Sequence, residues 1–204
     1  MKKIITTFLL LCTCLSLIGC NNTNQADSDN QYDYLNKTSS DNGLNEQYQI
    51  VIDKIDEIYN AGTPSSTQTV VDEILSIMPV QMPGPINEQY PDFLGIDLSY
   101  IEEYSGVISQ VNVSSDELIV IRAKDGKVDT IVELLQKRRD DKSASFEAYL
   151  QDQHTKALYG KIIVKGNDII FAILGDVTKY DTQAPAEFLT PEEPLPPEGQ
   201  QPVA

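Results

Sequence analysis

All three cysteines of this 204-residue chain, Cys12, Cys14 and Cys20, lie in its first twenty residues, and none follows. A body without thiols has no disulfide to constrain its unfolded state and no thiolate to hold zinc or an iron–sulfur cluster. Whatever folds must therefore be held by burial of apolar surface. The chain is 41% hydrophobic, enough for one core, and its length allows one domain with tails or two very small ones. A formal charge of −16 argues against nucleic acid as a partner, because phosphate binding needs a basic surface.

The leader accounts for the cysteines. Met1-Lys2-Lys3 is a short basic start, and Ile4 to Ile18 is apolar apart from Thr6, Thr7, Thr13 and Ser16. As a helix this stretch reaches about 22 Å, short of the ~30 Å hydrocarbon core, so it reads as a signal-peptide core and not a span. It ends in Leu17-Ile18-Gly19-Cys20, which resembles the lipobox of bacterial lipoproteins. That resemblance implies diacylglycerol on the Cys20 sulfur and cleavage between Gly19 and Cys20. Two acyl chains give stable attachment at about 0.8 kcal/mol per buried methylene. The expectation is a lipid-anchored protein on the extracytoplasmic face of the cell membrane.

Both ends of the mature chain read as tethers. Residues 20–44 are dominated by Asn, Asp, Ser, Thr and Gln, too polar to offset their ordering entropy, and are expected to be a disordered tether. Asp27, Asp29 and Asp33 do not make a calcium loop, since Tyr32 stands where glycine and Thr38 where glutamate is needed. Residues 179–204 hold six of the eleven prolines with Glu187, Glu192, Glu193 and Glu198, and are expected to be a disordered acidic tail.

Between them, Tyr48, Val51, Ile52, Ile55, Ile58 and Tyr59 recur at helical spacing, which predicts a helix within 45–64 whose docking the sequence leaves open. Residues 65–178 read as a single α+β domain. Ser65-Ser66-Thr67-Gln68 has the form of a capping box before Val70, Val71, Ile74, Leu75 and Met78. Pro79, Pro83, Pro85 and Pro91 predict a loop, and Ser99 to Glu102 a short helical turn. Val107 to Val113 alternates as a half-buried strand, and Leu118 to Ile121 is apolar on both faces. A helix from Val128 is expected to close on Lys137, Arg138 and Arg139, cations that suit a helix C-terminus. Another is expected from Ser145 to Gly160. Lys161–Lys165 and Asp168–Leu174 flank Gly166-Asn167, a two-residue hairpin signal. The predicted fold is a small antiparallel sheet of about four strands, in two hairpins, packed with three to four helices.

Leu94-Gly95-Ile96-Asp97, Asp116 through Ile121, the helix carrying Arg138, Tyr149, and Gly160 through Gly166-Asn167-Asp168-Ile169-Ile170-Phe171 together resemble a bacterial lipoprotein family, domain of unknown function 4358. The resemblance runs from about Thr67 to Gly175. The family occurs mostly in Gram-positive anaerobes, and its members similarly carry a lipobox and polar linker. It has no established activity, so it implies no catalytic residues.

The residues supply no catalytic signature. His154, the one histidine, reads as an exposed helical residue, and neither a transition-metal site nor a cofactor is expected. The acid pairs Asp72-Glu73, Glu102-Glu103, Asp116-Glu117 and Asp140-Asp141 read as solvated surface, because adjacent carboxylates do not meet across a cleft. Ile55 to Ile121 holds eleven acids and no Lys or Arg, whereas Arg122 to Lys165 holds ten basic residues against seven acids. That asymmetry reads as ordinary surface charge or as a basic face for an anionic polymer. The functional expectation is a non-catalytic binding or accessory module at the cell surface, held by lipid on Cys20, with a cell-wall polymer or membrane protein as partner. The alternative is a carboxylate-dependent cell-wall hydrolase.

Overall fold

The computed structural model describes residues 28–37 and 43–179. The leader, the lipobox residues Leu17, Ile18, Gly19 and Cys20, the rest of the expected tether and the tail from 180 lie outside the described residues. Five α-helices and five strands are present among the described residues: α1 (Leu44–Asn60), α2 (Thr67–Ile77), β1 (Pro83–Pro85), α3 (Tyr90–Phe93), β2 (Ile101–Ser109), β3 (Glu117–Ala123), α4 (Val128–Phe146), α5 (Gln151–Leu158), β4 (Lys161–Lys165) and β5 (Asp168–Ile173). The sheet order is β1-β2-β3-β5-β4, every neighbour antiparallel. This is the α+β class, with one strand more than the four expected. No helix among the described residues is long and apolar enough to cross a membrane.

The two central strands explain the layering. In β3, Leu118 and Val120 point to one face and Ile119 and Ile121 to the other, as the two-residue period of a strand requires. Leu118, Val120, Ile170 and Ala172 pack with Val51, Ile55, Val70, Val71 and Ile74 of α1 and α2. Ile119, Ile121, Ile169, Phe171 and Ile173 pack with Ile131, Val132 and Leu135 of α4. Both faces are therefore covered, and at about 1.5–3 kcal/mol per buried aliphatic side chain these two clusters supply the cohesion that the missing thiols cannot. The hairpin between β4 and β5 turns on Gly166, whose φ of 61° opens a turn of the mirror-image type that matches strand twist.

Several boundaries differ from expectation, each for a local reason. Helix α1 docks: Leu44, Tyr48, Val51 and Ile55 are buried at 3–4 residue spacing. Ser66, not Ser65, caps α2, its Oγ accepting from the Thr69 N–H at 3.2 Å. The proline loop contributes edge strand β1, because Pro83 and Pro85 flank Gly84 and only an outer strand tolerates two missing donors. Strand β2 starts at Ile101, directly after a 3₁₀ turn (Leu98–Tyr100) that Asp97 caps through Ser99 N–H at 2.7 Å. Helix α4 does not stop at Arg139 but continues to Phe146, since Ile131, Leu135, Arg139, Ser143 and Phe146 extend its buried face.

The largest difference concerns residues 28–37, which the polar composition assigned to a tether. Ser28–Leu35 is a 3₁₀ helix lying against β4. Tyr32 and Leu35 join the α4-side core, and the Tyr32 hydroxyl donates to Asp129. Asn36 then grips the open edge of β4: its Nδ2 donates to the Ile162 carbonyl and its Oδ1 accepts from the Ile162 N–H, both at 2.9 Å. A side-chain amide thus supplies the two bonds that a neighbouring strand would have made.

Candidate functional site

The Asp116-Glu117 pair sits at the entrance to β3, and the strand period sends its two carboxylates to opposite faces of the sheet. Both are buried, against the expectation of surface solvation. Asp72, Glu73, Glu102, Asp140 and Asp141 are exposed. Buried charge needs partners, and each of the two finds a different set.

Asp116, on the α1 and α2 side, accepts from Lys156 Nζ of α5 and, through Oδ2, from the Gln81 N–H at 3.1 Å. Lys156 is itself only 3% exposed. Next to it, Gln153 Oε1 accepts from Ser115 N–H at 2.9 Å and from Ser115 Oγ at 3.2 Å. These groups floor a cleft of about 740 Å³. Ile50, Ile77, Met78 and Val80 form much of its apolar wall, and Glu46, Gln47 and Asp176 add polar groups. Ile50 and Ile77 are 52% and 38% exposed, so the apolar wall opens to solvent. The rim is fixed from the chain's C-terminal side by Gln47, which accepts from Asp176 N–H at 2.7 Å and donates to its carbonyl at 3.3 Å.

Glu117, on the α4 side, is fully buried and receives Arg138 Nε at 3.0 Å, Arg138 Nη2 at 2.7 Å and the Tyr90 hydroxyl at 2.7 Å. Lys142 stands 3.5 Å away. Burial pushes the Lys142 ammonium below the usual lysine range, partly offset by Glu117. Burial beside that carboxylate also drives the Tyr90 phenol well up, keeping it a donor. This cluster ties α3, β3 and α4 together.

A third cluster joins the opposite end of the sheet. Arg122 binds both oxygens of Asp168 at 2.8 and 3.0 Å, Glu103 at 3.0 Å and the Pro64 carbonyl at 3.1 Å, while Tyr59 donates to Asp168 at 2.8 Å. Bonding to Asp168 raises the guanidinium further above its ordinary value.

The charge asymmetry resolves in these contacts. Asp56, Glu103, Asp116 and Glu117 of the acidic half bind Lys165, Arg122, Lys156 and Arg138 of the basic half. Lys137 binds Asp141, Lys124 the Ser99 carbonyl, and Lys127 lies over the Tyr100 ring. Arg139 donates to the Leu35 and Gly160 carbonyls, and Lys161 to that of Lys37. Each of the ten basic residues thus has a partner inside the chain, and five of them, Arg122, Arg138, Lys142, Lys156 and Lys165, meet carboxylates of the acidic half.

His154 is half-buried, not exposed, because α4 extends far enough to reach it. Its Nδ1 lies 3.0 Å from both the Oγ and the carbonyl oxygen of Ser143, pinning α5 to α4. Among the described residues no group of three or more His, Cys, Asp and Glu residues could hold a metal ion. What sequence reasoning missed was the cleft itself: Gly43 to Ile50, Ile77 to Gln81, Asp116, Gln153 to Lys156 and Gly175 to Thr178 come from five separate stretches. The adjacency of Asp116 and Glu117 just before the apolar run Leu118–Ile121 was its one visible signal.

No curated protein and no solved structure matches the chain. Residues 86–174, from the loop before α3 to the residue after β5, match the family described as Domain of unknown function (DUF4358). The match takes in the Asp116, Gln153 and Lys156 floor of the cleft but not the α1 and α2 side of its wall. It begins at 86, where the sequence resemblance had been drawn from Thr67. By this match the stretch 86–174, with β2 to β5, α4 and α5 inside it, is a member of the DUF4358 family.

Proposed function

We propose that this chain is a lipid-anchored extracytoplasmic binding module that uses the cleft above Asp116 and Lys156 to hold a wall polymer or a membrane-protein segment. The observation that supports it is the makeup of the cleft. About 740 Å³ of accessible space combines an open apolar wall with a few fixed polar groups, the usual composition of a recognition site. The floor is built for holding: both Asp116 oxygens are engaged, by Lys156 and by the Gln81 N–H. The neighbouring acid Glu117 is buried on the other face of the sheet, away from the cleft, which supports binding over hydrolysis by this pair of carboxylates. The lipobox and the basic start of the leader, Lys2 and Lys3, support the location.

The test uses the mature chain with solubilised wall glycan and stem-peptide fragments. Saturable binding without turnover, lost in Ile50→Asp and Ile77→Asp, is the expected result. Release of shortened products, abolished by Asp116→Asn, would overturn the binding reading in favour of a hydrolase. Binding that ignores both isoleucine changes would remove the cleft from it.

A further inference from the structure

Most polar side chains of the cleft are already committed within the chain. Gln47 accepts from the Asp176 N–H at 2.7 Å and donates to the Asp176 carbonyl at 3.3 Å. Gln153 accepts from Ser115 at 2.9 and 3.2 Å and donates to Asp152 at 2.9 Å. Lys156 donates to Asp116 and reaches the Gly175 carbonyl at 3.4 Å, while the other Asp116 oxygen takes the Gln81 N–H. A glycan is rich in hydroxyl and amide groups that need hydrogen-bond partners when they lose water. It gains also from aromatic rings to stack on, and among the described residues lining the cleft there is none. What the cleft offers a ligand is its aliphatic wall, in which Met78 adds an adaptable thioether surface suited to varied side chains.

The sign of the cleft follows from the same groups. Among its described lining residues are three carboxylates, Glu46, Asp116 and Asp176, and one cation, Lys156, which is 3% exposed and held on Asp116. An anionic polymer would meet carboxylates here and no accessible cation of that lining. The two helix ends in the wall nearly cancel. The first turn of α1 contributes about half a positive charge, and the last turn of α2, which has no basic residue, about half a negative one. The carboxylates are left to set the field. Glu46 is exposed and stands one turn before exposed Ile50 on α1, so the two share a face about 5–6 Å apart. A side chain seated on Ile50 thus has a carboxylate beside it.

Building on the cleft as the binding site, we propose that its ligand is a basic, aliphatic segment of a partner protein, in preference to a wall glycan or an anionic polymer. An aliphatic side chain packs on Ile50, Ile77, Met78 and Val80, and a lysine or arginine stands beside Glu46. Apolar burial supplies affinity, and the carboxylate supplies the choice of partner. The test uses the mature chain and short fluorescein-labelled peptides read by anisotropy: leucine alternating with lysine, leucine with glutamate, and serine with lysine. Solubilised wall glycan is the fourth probe. Saturable binding of the leucine–lysine peptide, about ten-fold tighter than of either other peptide, is expected. Glu46→Gln should weaken it about two- to five-fold, the range of an exposed ion pair, and Ile50→Ser by at least as much. Glu102→Gln, at an exposed carboxylate outside the cleft, should leave it unchanged. Equal losses in Glu46→Gln and Glu102→Gln would reduce the effect to the chain's net charge and overturn the assignment. Equal affinity for the leucine–lysine and leucine–glutamate peptides would overturn it too. Glycan binding tighter than that of any peptide, and lost in Ile50→Asp and Ile77→Asp, overturns the ligand class and leaves the cleft reading standing. Failure of every probe to bind, or binding that ignores the isoleucine changes, overturns the cleft reading and the ligand class together.

Discussion

Replacing Arg138 by methionine removes the two-pronged partner of a carboxylate that has no exposure to water. Glu117 would keep only the Tyr90 hydroxyl and Lys142 at 3.5 Å. Stranding one member of a buried pair costs about 3–5 kcal/mol. For a chain of this size that is a drop in Tm of about 6–20 °C. The reciprocal change, Glu117→Leu, should cost less. Arg138 is 16% exposed along its side chain and can turn toward water, so the principal loss is the acceptor of Tyr90, about 1–3 kcal/mol. The double variant leaves only Lys142 without its counter-ion and should lie closer to the parent than Arg138→Met does, since apolar replacement of a buried pair is often neutral. Urea unfolding of all four proteins, followed by circular dichroism, gives the coupling from the cycle. A cost below about 1 kcal/mol for Arg138→Met, the range of a surface pair, would refute the argument, as would additive single changes.

Other predictions concern the strap formed by residues 28–37, the cleft and alkaline stability. Asn36→Ala leaves the Ile162 N–H and carbonyl at an open edge. It should cost about 1–3 kcal/mol and speed amide exchange at Ile162 while leaving central β3 amides protected. Lys156→Met strands Asp116 in the floor of the cleft and should cost about 3–5 kcal/mol in urea unfolding; loss below about 1 kcal/mol would show the pair to be incidental. Burial, and then the charge of Arg139, hold the Lys161 ammonium down to about 8. The unfolded chain therefore binds more protons between pH 8 and the ordinary lysine value, and stability should rise with pH across that window. Tyr48, Tyr59 and Tyr90 are all held above the ordinary phenol value, chiefly by burial, so their contribution is lost above about pH 10. Comparing the parent with Lys161→Met isolates the first effect: the parent should gain on the variant by about 3 kcal/mol from pH 7 to pH 10, and parallel profiles would contradict it.

What the sequence disclosed and what it concealed divide along the range of the interaction. The apolar run Leu118–Ile121 announced a strand covered on both sides, and Gly166-Asn167 announced the β4–β5 hairpin, because these signals are complete within a few neighbours. Edge elements were concealed because they carry little apolar surface. Strand β1 is Pro-Gly-Pro, and among the described side chains the strap contributes Tyr32 and Leu35 to the core. The strap is also held by a side-chain amide on a strand edge, which no periodicity records. The cleft was concealed for the same reason, since its wall and floor meet only after the sheet has folded.

The charge pattern carries the same lesson further. Arg138 and Arg139, taken as a chain-local feature, look like cations placed to close a helix. In the fold they lie mid-helix, Arg138 on Glu117 and Arg139 on the Leu35 and Gly160 carbonyls. A buried acid must meet its counter-ion, so a region with eleven acids and no cation demands a partner region elsewhere in the chain if any of those acids go inside. Two did, Asp116 and Glu117, and their partners Lys156 and Arg138 come from the basic half. Where a chain lacks thiols, such paired interior charges, set on opposite faces of one strand, fix both helical layers in register against the sheet. One of the two pairs closes into the α3–β3–α4 joint; the other floors the cleft, and that placement is what distinguishes Asp116 and Lys156 from the rest of the interior.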